Sequence, residues 1–237
     1  KSLQNSNVYY SIIPDKEYFL NDENYLKIDY NLLQDKIKLQ AKYINIMNSL
    51  SIEDYYNTDI HWKQENLDEV VKNIVEQMGN TYQQIDYEYE TYDNFYGTSY
   101  SKAGSNIAPD KLTYLYNNYT ENSTVKHLEY GDKPVYDKQK LESLDLYNIF
   151  LSGASSYIEI TNQEATNEKE LIIFRDSYAS SLAPLLIPYY RKITLIDLRY
   201  INYDIVSNIT VFNNKDVLFI YSAQVINNSN LLKVNNI

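Results

Sequence analysis

The sequence predicts an α/β domain built on a mostly parallel sheet, and three observations carry that reading. First, Glu170-Leu171-Ile172-Ile173-Phe174 is a short apolar run, and Arg175-Asp176-Ser177-Tyr178 turns sharply out of it. The helical stretch Ala179–Tyr190 then leads to a second apolar run, Ile193–Ile196. Strand, turn, helix and strand in that order form a βαβ unit, whose crossover requires parallel strands covered by helices. Second, Glu65–Met78 carries one continuous apolar stripe, because Leu67, Val70, Val71, Ile74, Val75 and Met78 recur at helical spacing. Third, the chain has 237 residues, 44% of them hydrophobic, enough for one sizeable core, since domains commonly hold roughly 100–200 residues and α/β domains often more. We therefore expect one domain over residues 1–237, with a small loop-rich insertion around residues 82–145.

The remaining elements follow in chain order. Val8–Ile13 reads as a buried strand stopped by Pro14-Asp15. Asp29–Leu39 reads as a helix with Leu32, Leu33 and Ile37 on one side, and Tyr43–Ile46 as a short strand. Gly79 closes the Glu65–Met78 helix as its C′ residue. Asp86, Glu88 and Glu90 alternate with Tyr87, Tyr89 and Thr91, which gives a strand with one acidic and one aromatic face. No EF-hand spacing accompanies these carboxylates, so they read as a solvated face and no metal site is expected. Residues 101–145 are polar and punctuated by Gly104, Pro109, Gly131 and Pro134, with Leu112–Tyr116 and Leu141–Leu146 as short helices. Tyr147–Leu151 leads into Ser152-Gly153. Tyr157–Thr161 alternates like an edge strand, and Asp216–Tyr221 is the last strand.

Composition bounds the function. A net charge of −11 repels phosphates and argues against nucleic acid as a partner. The absence of cysteine excludes thiolate catalysis, zinc–thiolate sites and disulfides. No apolar run approaches the ~18–20 residues that span a bilayer. The sequence opens at Lys1-Ser2-Leu3 without an initiator Met or signal-peptide pattern, and is expected to be a mature fragment whose targeting segment lies outside it. The 27 tyrosines fit the coding bias of an AT-rich genome. They also offer flat apolar faces with polar tips, suited to sugar rings.

Two features carry chemistry. Ser177 sits where a strand gives way to a helix, so its hydroxyl projects at the carboxyl edge of the sheet, where open α/β sheets place ligands. The helix N-terminus there offers unpaired N–H groups to a developing oxyanion. The same position also suits a serine helix cap. The chain has only two histidines. His127 lies in a polar stretch with no partner pattern, whereas His61 follows Asp59 by two residues. A carboxylate so placed can bond one ring nitrogen and leave the other to accept a serine proton. A surface His packed on Trp62 is the alternative. Ser177 as nucleophile, His61 as base and Asp59 as orienter form the candidate catalytic set.

The same residues carry a family resemblance. Thr58-Asp59-Ile60-His61-Trp62 resembles the Thr-Asp-His-His-Trp signature of the bacterial DHHW family. Asn94-Phe95-Tyr96-Gly97-Thr98-Ser99-Tyr100-Ser101-Lys102-Ala103-Gly104 resembles its Phe-Tyr-Gly-Thr-x-Tyr-Ser-Lys-Ala block. Arg175-Asp176-Ser177-Tyr178-Ala179, Pro184 and Ile196-Asp197-Leu198-Arg199-Tyr200 resemble its Lys-Asp-Ser-Tyr-Ala…Pro…Asp-Leu-Arg-Tyr block. That family is similar to the SGNH-hydrolase-like domains of alginate-type exopolysaccharide O-acetyltransferases. The resemblance implies a flavodoxin-like three-layer α/β/α sandwich, circularly permuted so that Asp-x-His precedes the serine. It implies the roles given above for Ser177, His61 and Asp59. Tyr96, Arg199 and Trp62 match family positions and are candidates for contact with substrate, Trp62 also for packing of its own motif. Ile60 replaces the first His of the signature. Leu151-Ser152-Gly153-Ala154-Ser155 resembles a Gly-Gly-Asn segment but has no Asn near Gly153, so the backbone N–H groups of Ser177 and Gly153 are the expected oxyanion donors.

The expected activity is serine-dependent acyl transfer on carbohydrate, through an acetyl ester on Ser177. O-acetylation of a bacterial exopolysaccharide or cell-surface glycan leads. A carbohydrate acetylesterase with the same residues, a non-catalytic glycan-binding surface protein and a purely structural surface protein are the alternatives. No cofactor is expected. The resemblance implies a polysaccharide or glycan acceptor, an acetyl donor supplied through a membrane acyltransferase partner, and an extracellular or cell-surface location.

Overall fold

The computed structural model describes residue 3 and residues 5–20, 27–37, 41–100 and 106–234. Leu39, at the end of the expected first helix, and Ser101-Lys102-Ala103-Gly104 lie outside the described residues. The strands are β1 (Asn7–Ile13), β2 (Lys42–Tyr43), β3 (Glu88–Phe95), β4 (Asp110–Tyr116), β5 (Thr124–His127), β6 (Gly131–Lys133), β7 (Tyr157–Thr161), β8 (Glu170–Arg175), β9 (Lys192–Ile196) and β10 (Asp216–Ser222). The helices are α1 (Tyr30–Lys36), α2 (Asp68–Gln77), α3 (Asn118–Glu121), α4 (Ala179–Leu186), α5 (Tyr203–Ile209) and α6 (Ala223–Asn227).

Eight strands form one sheet in the order β2-β1-β10-β8-β9-β7-β5-β6. The pairings from β2 through β9 are parallel, and β7, β5 and β6 extend the sheet antiparallel. Counted from β8 along the chain and across its ends, the five parallel strands read β8, β9, β10, β1, β2. Their spatial order is then 2-1-3-4-5, the flavodoxin-like order. The chain thus enters at the fourth strand of that scheme, which is the circular permutation the family resemblance implied.

Alternation along the strands builds two cores. Leu171 and Ile173 of β8 face one side with Leu195 of β9, Leu218 and Ile220 of β10, the α2 stripe (Val70, Val71, Ile74, Val75) and Leu182, Leu185 and Leu186 of α4. Ile172 and Phe174 face the other with Ile196, Val217, Val206 of α5 and Val225 of α6. The result is a three-layer sandwich. Strands buried on both faces have to read as near-continuous apolar runs, and that is why β8 through β10 were visible in sequence.

Several local expectations need correction. Leu112–Tyr116 is part of β4, not a helix. Five residues cannot show whether a pattern has period two or 3.6, and pairing with β3 across Thr91↔Thr113 and Glu90↔Tyr114 decides for the strand. Tyr157–Thr161 is interior, flanked by β5 and β9, because a sequence alternation cannot show that β5 adds beyond it. The Tyr43–Ile46 strand shrinks to Lys42–Tyr43. The Ala179–Tyr190 helix is α-helical to Leu186 and 3-10 from Ile187 to Tyr189. Leu141–Leu146 is not one helix: Leu141 and Glu142 end one 3-10 turn, Lys138–Glu142, and Leu146 begins another, Leu146–Ile149. Gly79 does take a C′ conformation, with φ of 78°. Within 82–145, β3 and β4 form their own two-stranded hairpin, while β5 and β6 join the main sheet.

His127 closes β5 with 1% exposure. Burial pushes its pKa down from 6.5 to about 4, helped by Arg175 and opposed by Glu129. The folded state therefore holds this ring neutral where the unfolded chain would protonate it, so its contribution to stability is full above about pH 6.5 and lost as pH falls toward 4. Two outcomes follow. Ile173→Ala, at a fully buried site of β8, should lower unfolding free energy by about 2–5 kcal/mol in denaturant titration. His127→Leu should lose less stability than the unmodified protein between pH 7 and pH 4.5, by the same titration.

Candidate active site

The first half of the site is the turn after β8. Asp176 is buried, and its carboxylate accepts from Tyr178 N (3.1 Å) and from Ser222 N at the end of β10 (2.7 Å). These bonds fasten the turn to the neighbouring strand. Arg175, 1% exposed, donates through Nη1 to Asp176 O and Ser180 Oγ and through Nη2 to Ser155 O. Ser177 is held between buried neighbours and is itself only half-buried. It stands at the carboxyl ends of β8 and β10, the switch point of the 2-1-3-4-5 order, where such sheets bind ligands.

The second half is the loop from Tyr55 to Trp62, closed at its base by an antiparallel bridge between those two residues. Asp110 of β4 grips its tip, accepting from Asn57 N, Thr58 N and Thr58 Oγ1 at 2.9, 2.6 and 2.6 Å. Lys16 Nζ donates to the carbonyls of Tyr56 and Asp59, and Tyr55 OH donates to Pro14 O. The loop is thereby tied both to the β3–β4 hairpin and to the end of β1.

Asp59 is fully buried. Its Oδ1 accepts from His61 N (2.9 Å) and His61 Nδ1 (2.5 Å), and its Oδ2 from Thr98 N (2.8 Å) and Thr98 Oγ1 (3.0 Å). Burial alone would raise this carboxyl, but the bonds and charge of His61, with the Thr98 N–H, hold it well below the usual carboxylate range. With Nδ1–H given to Asp59, Nε2 is left as acceptor for the Ser177 hydroxyl at 2.8 Å. The His61 ring lies flat against Tyr147, with centroids 3.8 Å apart and planes 7° from parallel, and Tyr178 tilts against it at 4.8 Å. Tyr147 OH shares a hydrogen bond with Ser181 Oγ, and Tyr178 OH donates to Ile60 O.

The structure thus joins Asp59, His61 and Ser177 in one hydrogen-bonded chain across 116 residues of sequence. Ile60 turns its side chain outward, at 38% exposure, so its substitution for histidine leaves this chain intact. Trp62 requires correction: it is fully buried, with Nε1 donating to Tyr178 O and Ser181 Oγ. It joins the two halves of the site from below and cannot meet a substrate. Gly153 also requires correction as an oxyanion donor, because its N–H is spent on Phe150 O at 3.2 Å. Leu151, Ser152 and Gly153 all have positive φ (52°, 58° and 88°), strain of about 1–3 kcal/mol for each non-glycine residue held by Ser152 Oγ donating to Asp137. Ser177 N has no acceptor among the described residues. Tyr96 is exposed, its ring 4.4 Å from that of Tyr100. Arg199 is bonded twice to Asp197, by Nε at 2.9 Å and Nη2 at 2.7 Å, and lies over Tyr200.

Sequence reasoning missed several supporting residues. Asn148 was not seen as the amide near Gly153, yet its carboxamide oxygen lies 2.5 Å from where a Gly153 Cβ would be. They are five positions apart, and the strained turn brings them together. Gly97 is required by proximity rather than by backbone angle, since a Cβ there would fall 2.2 Å from Asp59 Cβ and 2.7 Å from its Cα. The signal for it was its place in the Phe95-Tyr96-Gly97-Thr98 block. Lys16, Asp110 and Tyr147 left no local signal, because each acts across the fold.

Comparison with known proteins agrees with this architecture. The chain is similar to a DHHW family protein from Eubacterium siraeum DSM 15702, over 94% of this chain and 80% of that one, at 20% identity and a TM-score of 0.69. It is similar to PatB1 from Bacillus cereus, over 94% and 84%, at 20% identity and 0.70, and to a form of PatB1 carrying a sulfonyl adduct at 21% identity. The O-acetyltransferase domain of Pseudomonas putida AlgJ aligns over 94% and 78%, at 13% identity and 0.52. No family model and no curated protein matches the sequence.

Gly97→Ala should push Asp59 away from His61. The expected result is loss of the far-downfield proton resonance of the His61 Nδ1–H, with a lower melting temperature. Persistence of that resonance would show that the loop can yield.

Proposed function

We propose that this protein is a serine-dependent O-acyltransferase acting on a glycan, most simply an O-acetyltransferase of a bacterial exopolysaccharide or cell-surface glycan. The observation that carries the reading is the continuous chain Asp59–His61–Ser177, ending 2.8 Å from the serine hydroxyl. In the proposed reaction His61 Nε2 takes the Ser177 proton as Oγ attacks the carbonyl carbon of the acetyl donor. The negative charge on the carbonyl oxygen is met by the Ser177 N–H. Collapse expels the donor's leaving group, which takes the proton from His61, and leaves acetyl-Ser177. A sugar hydroxyl then gives its proton to His61 and attacks the ester, which regenerates Ser177 and leaves the acetyl on the glycan. Asp59 stays ionised throughout, since its hydrogen bonds hold its pKa low, and stabilises the imidazolium.

Water in place of the sugar hydroxyl makes the same site an acetylesterase. The fold shared with an O-acetyltransferase domain supports transfer. Reaction on a glycan also fits an extracellular or cell-surface location, with a membrane acyltransferase as the source of acetyl groups. Engagement of the Gly153 N–H favours another reading, glycan binding without turnover, because loss of one oxyanion donor can cost ~10²–10³ in rate.

Incubation with p-nitrophenyl acetate decides between them. Release of p-nitrophenol and an acetyl adduct in intact mass are expected, falling about 10³-fold or more in Ser177→Ala and in His61→Ala. Equal release by Ser177→Ala would remove the serine mechanism. An acceptor oligosaccharide that captures the acetyl group separates transferase from esterase.

A further inference from the structure

A cavity of about 340 Å³ opens between the β3–β4 hairpin and the segment from Pro134 to Lys138. Its size suits a sugar unit, at the lower end of the roughly 300–1,000 Å³ usual for small-ligand sites. Its walls include Tyr114, Tyr116, Tyr136, Glu90, Glu121 and Lys138. It is separate from the Ser177 site. Tyr136 packs on Phe150 at 6.0 Å, Phe150 on Tyr147 at 5.0 Å, and of these three Tyr147 is the one stacked on His61.

The tyrosines here do more than fill space. Tyr114, itself buried, lies 4.6 Å from Tyr136 and 5.8 Å from Tyr116 and backs these two partly exposed rings. Their hydroxyls tether the rings: Tyr116 OH donates to Glu88 at 3.0 Å, and Tyr136 OH donates to Leu115 O. Rings fixed before a ligand arrives lose little entropy on binding. Lys138 donates to Glu90 at 2.7 Å and sits 5.7 Å over the Tyr114 ring, which places an ammonium and a carboxylate side by side at the mouth. Apolar ring faces beside fixed acceptors and donors match a pyranose, whose C–H face is apolar and whose hydroxyls radiate from its edge. The charged residues in the wall are two carboxylates against one ammonium, and the whole chain carries −11. Uronates and phosphate-bearing polymers are repelled by that field.

We propose that this cavity binds a neutral hexopyranose unit of a glycan, as a holding site distinct from the one at which Ser177 reacts. The proposal rests on the reading that the substrate is a glycan, but not on Ser177 being active. A glycan held at both places would gain effective concentration at the serine without new contacts there.

Isothermal titration of the full chain with maltohexaose, chitohexaose and a galacturonate hexamer tests it. At least one neutral hexamer should bind, and the uronate should bind at least about tenfold more weakly. Tyr116→Ala should weaken binding roughly tenfold, whereas Tyr116→Phe, which keeps the ring, should change it less than twofold. Glu121→Lys, at an exposed position, should narrow the gap between neutral and uronate hexamers; melting curves confirm that each variant folds. Failure of both neutral hexamers to bind, an unchanged Kd in Tyr116→Ala, or equal binding of the uronate would overturn the proposal. Turnover of p-nitrophenyl acetate by the unmodified chain is scored separately. Turnover without binding removes the holding site alone, and binding without turnover removes the enzyme alone.

Discussion

A carboxylate taken out of water is costly unless its lone pairs are met by donors, and Asp59 is placed under that condition. Four donors meet it, two from His61 and two from Thr98. Each donor imposes a demand on the surrounding chain. Thr98 can approach only because residue 97 has no side chain. Thr58 Oγ1 accepts from Gly97 N and donates to Asp110, so the loop before α2 is fixed to the end of β3 and the start of β4. Lys16 closes the arrangement from the end of β1. The orientation of His61, and through it the hydrogen bond to Ser177, is the outcome of satisfying one buried charge.

The permuted topology explains how distant segments come to share that charge. Ser177 follows β8, and Asp59 and His61 follow β2 and the 3-10 turns after it. In a 2-1-3-4-5 sheet those two strands are the first and the fifth, and their carboxyl ends open on the same edge. Cutting the scheme between its third and fourth strands moves the Asp-x-His segment ahead of the serine in sequence and leaves it unmoved in space. The antiparallel strands β7, β5 and β6 add on the side away from β1 and β2, and the 3-10 turn carrying Tyr147 and Asn148 lies in the connection between β6 and β7.

What could be read from sequence was what local pattern determines. The α2 stripe and the β8–α4–β9 unit are written in periodicity, and Ser177 and Asp59–His61 stand at element boundaries where function gathers. The β4 strand was misread because five residues of mixed Leu, Thr and Tyr fit a helix or a strand, and its partner lies across a hairpin. Trp62 stood as a candidate for substrate contact or for packing of its own motif, and its buried indole N–H binds the loop to α4. Gly153 looked like a free backbone donor, yet a turn with successive positive φ angles consumes its N–H. These errors have one cause: burial and long-range bonding assign the role of a residue only after the sheet has been assembled.

The face-to-face contact of His61 with Tyr147 has a kinetic side. An imidazole pressed at 3.8 Å against a buried phenol, with Tyr178 tilted against it at 4.8 Å, has no room to rotate about its Cβ–Cγ bond without displacing core side chains. Ring reversal, which would exchange the atoms facing Asp59 and Ser177, therefore waits on a concerted opening of this packing. The imidazole can pass protons in its own plane but cannot carry one by turning over. The proton line runs in the plane of the ring, from Asp59 through His61 to the half-buried Ser177.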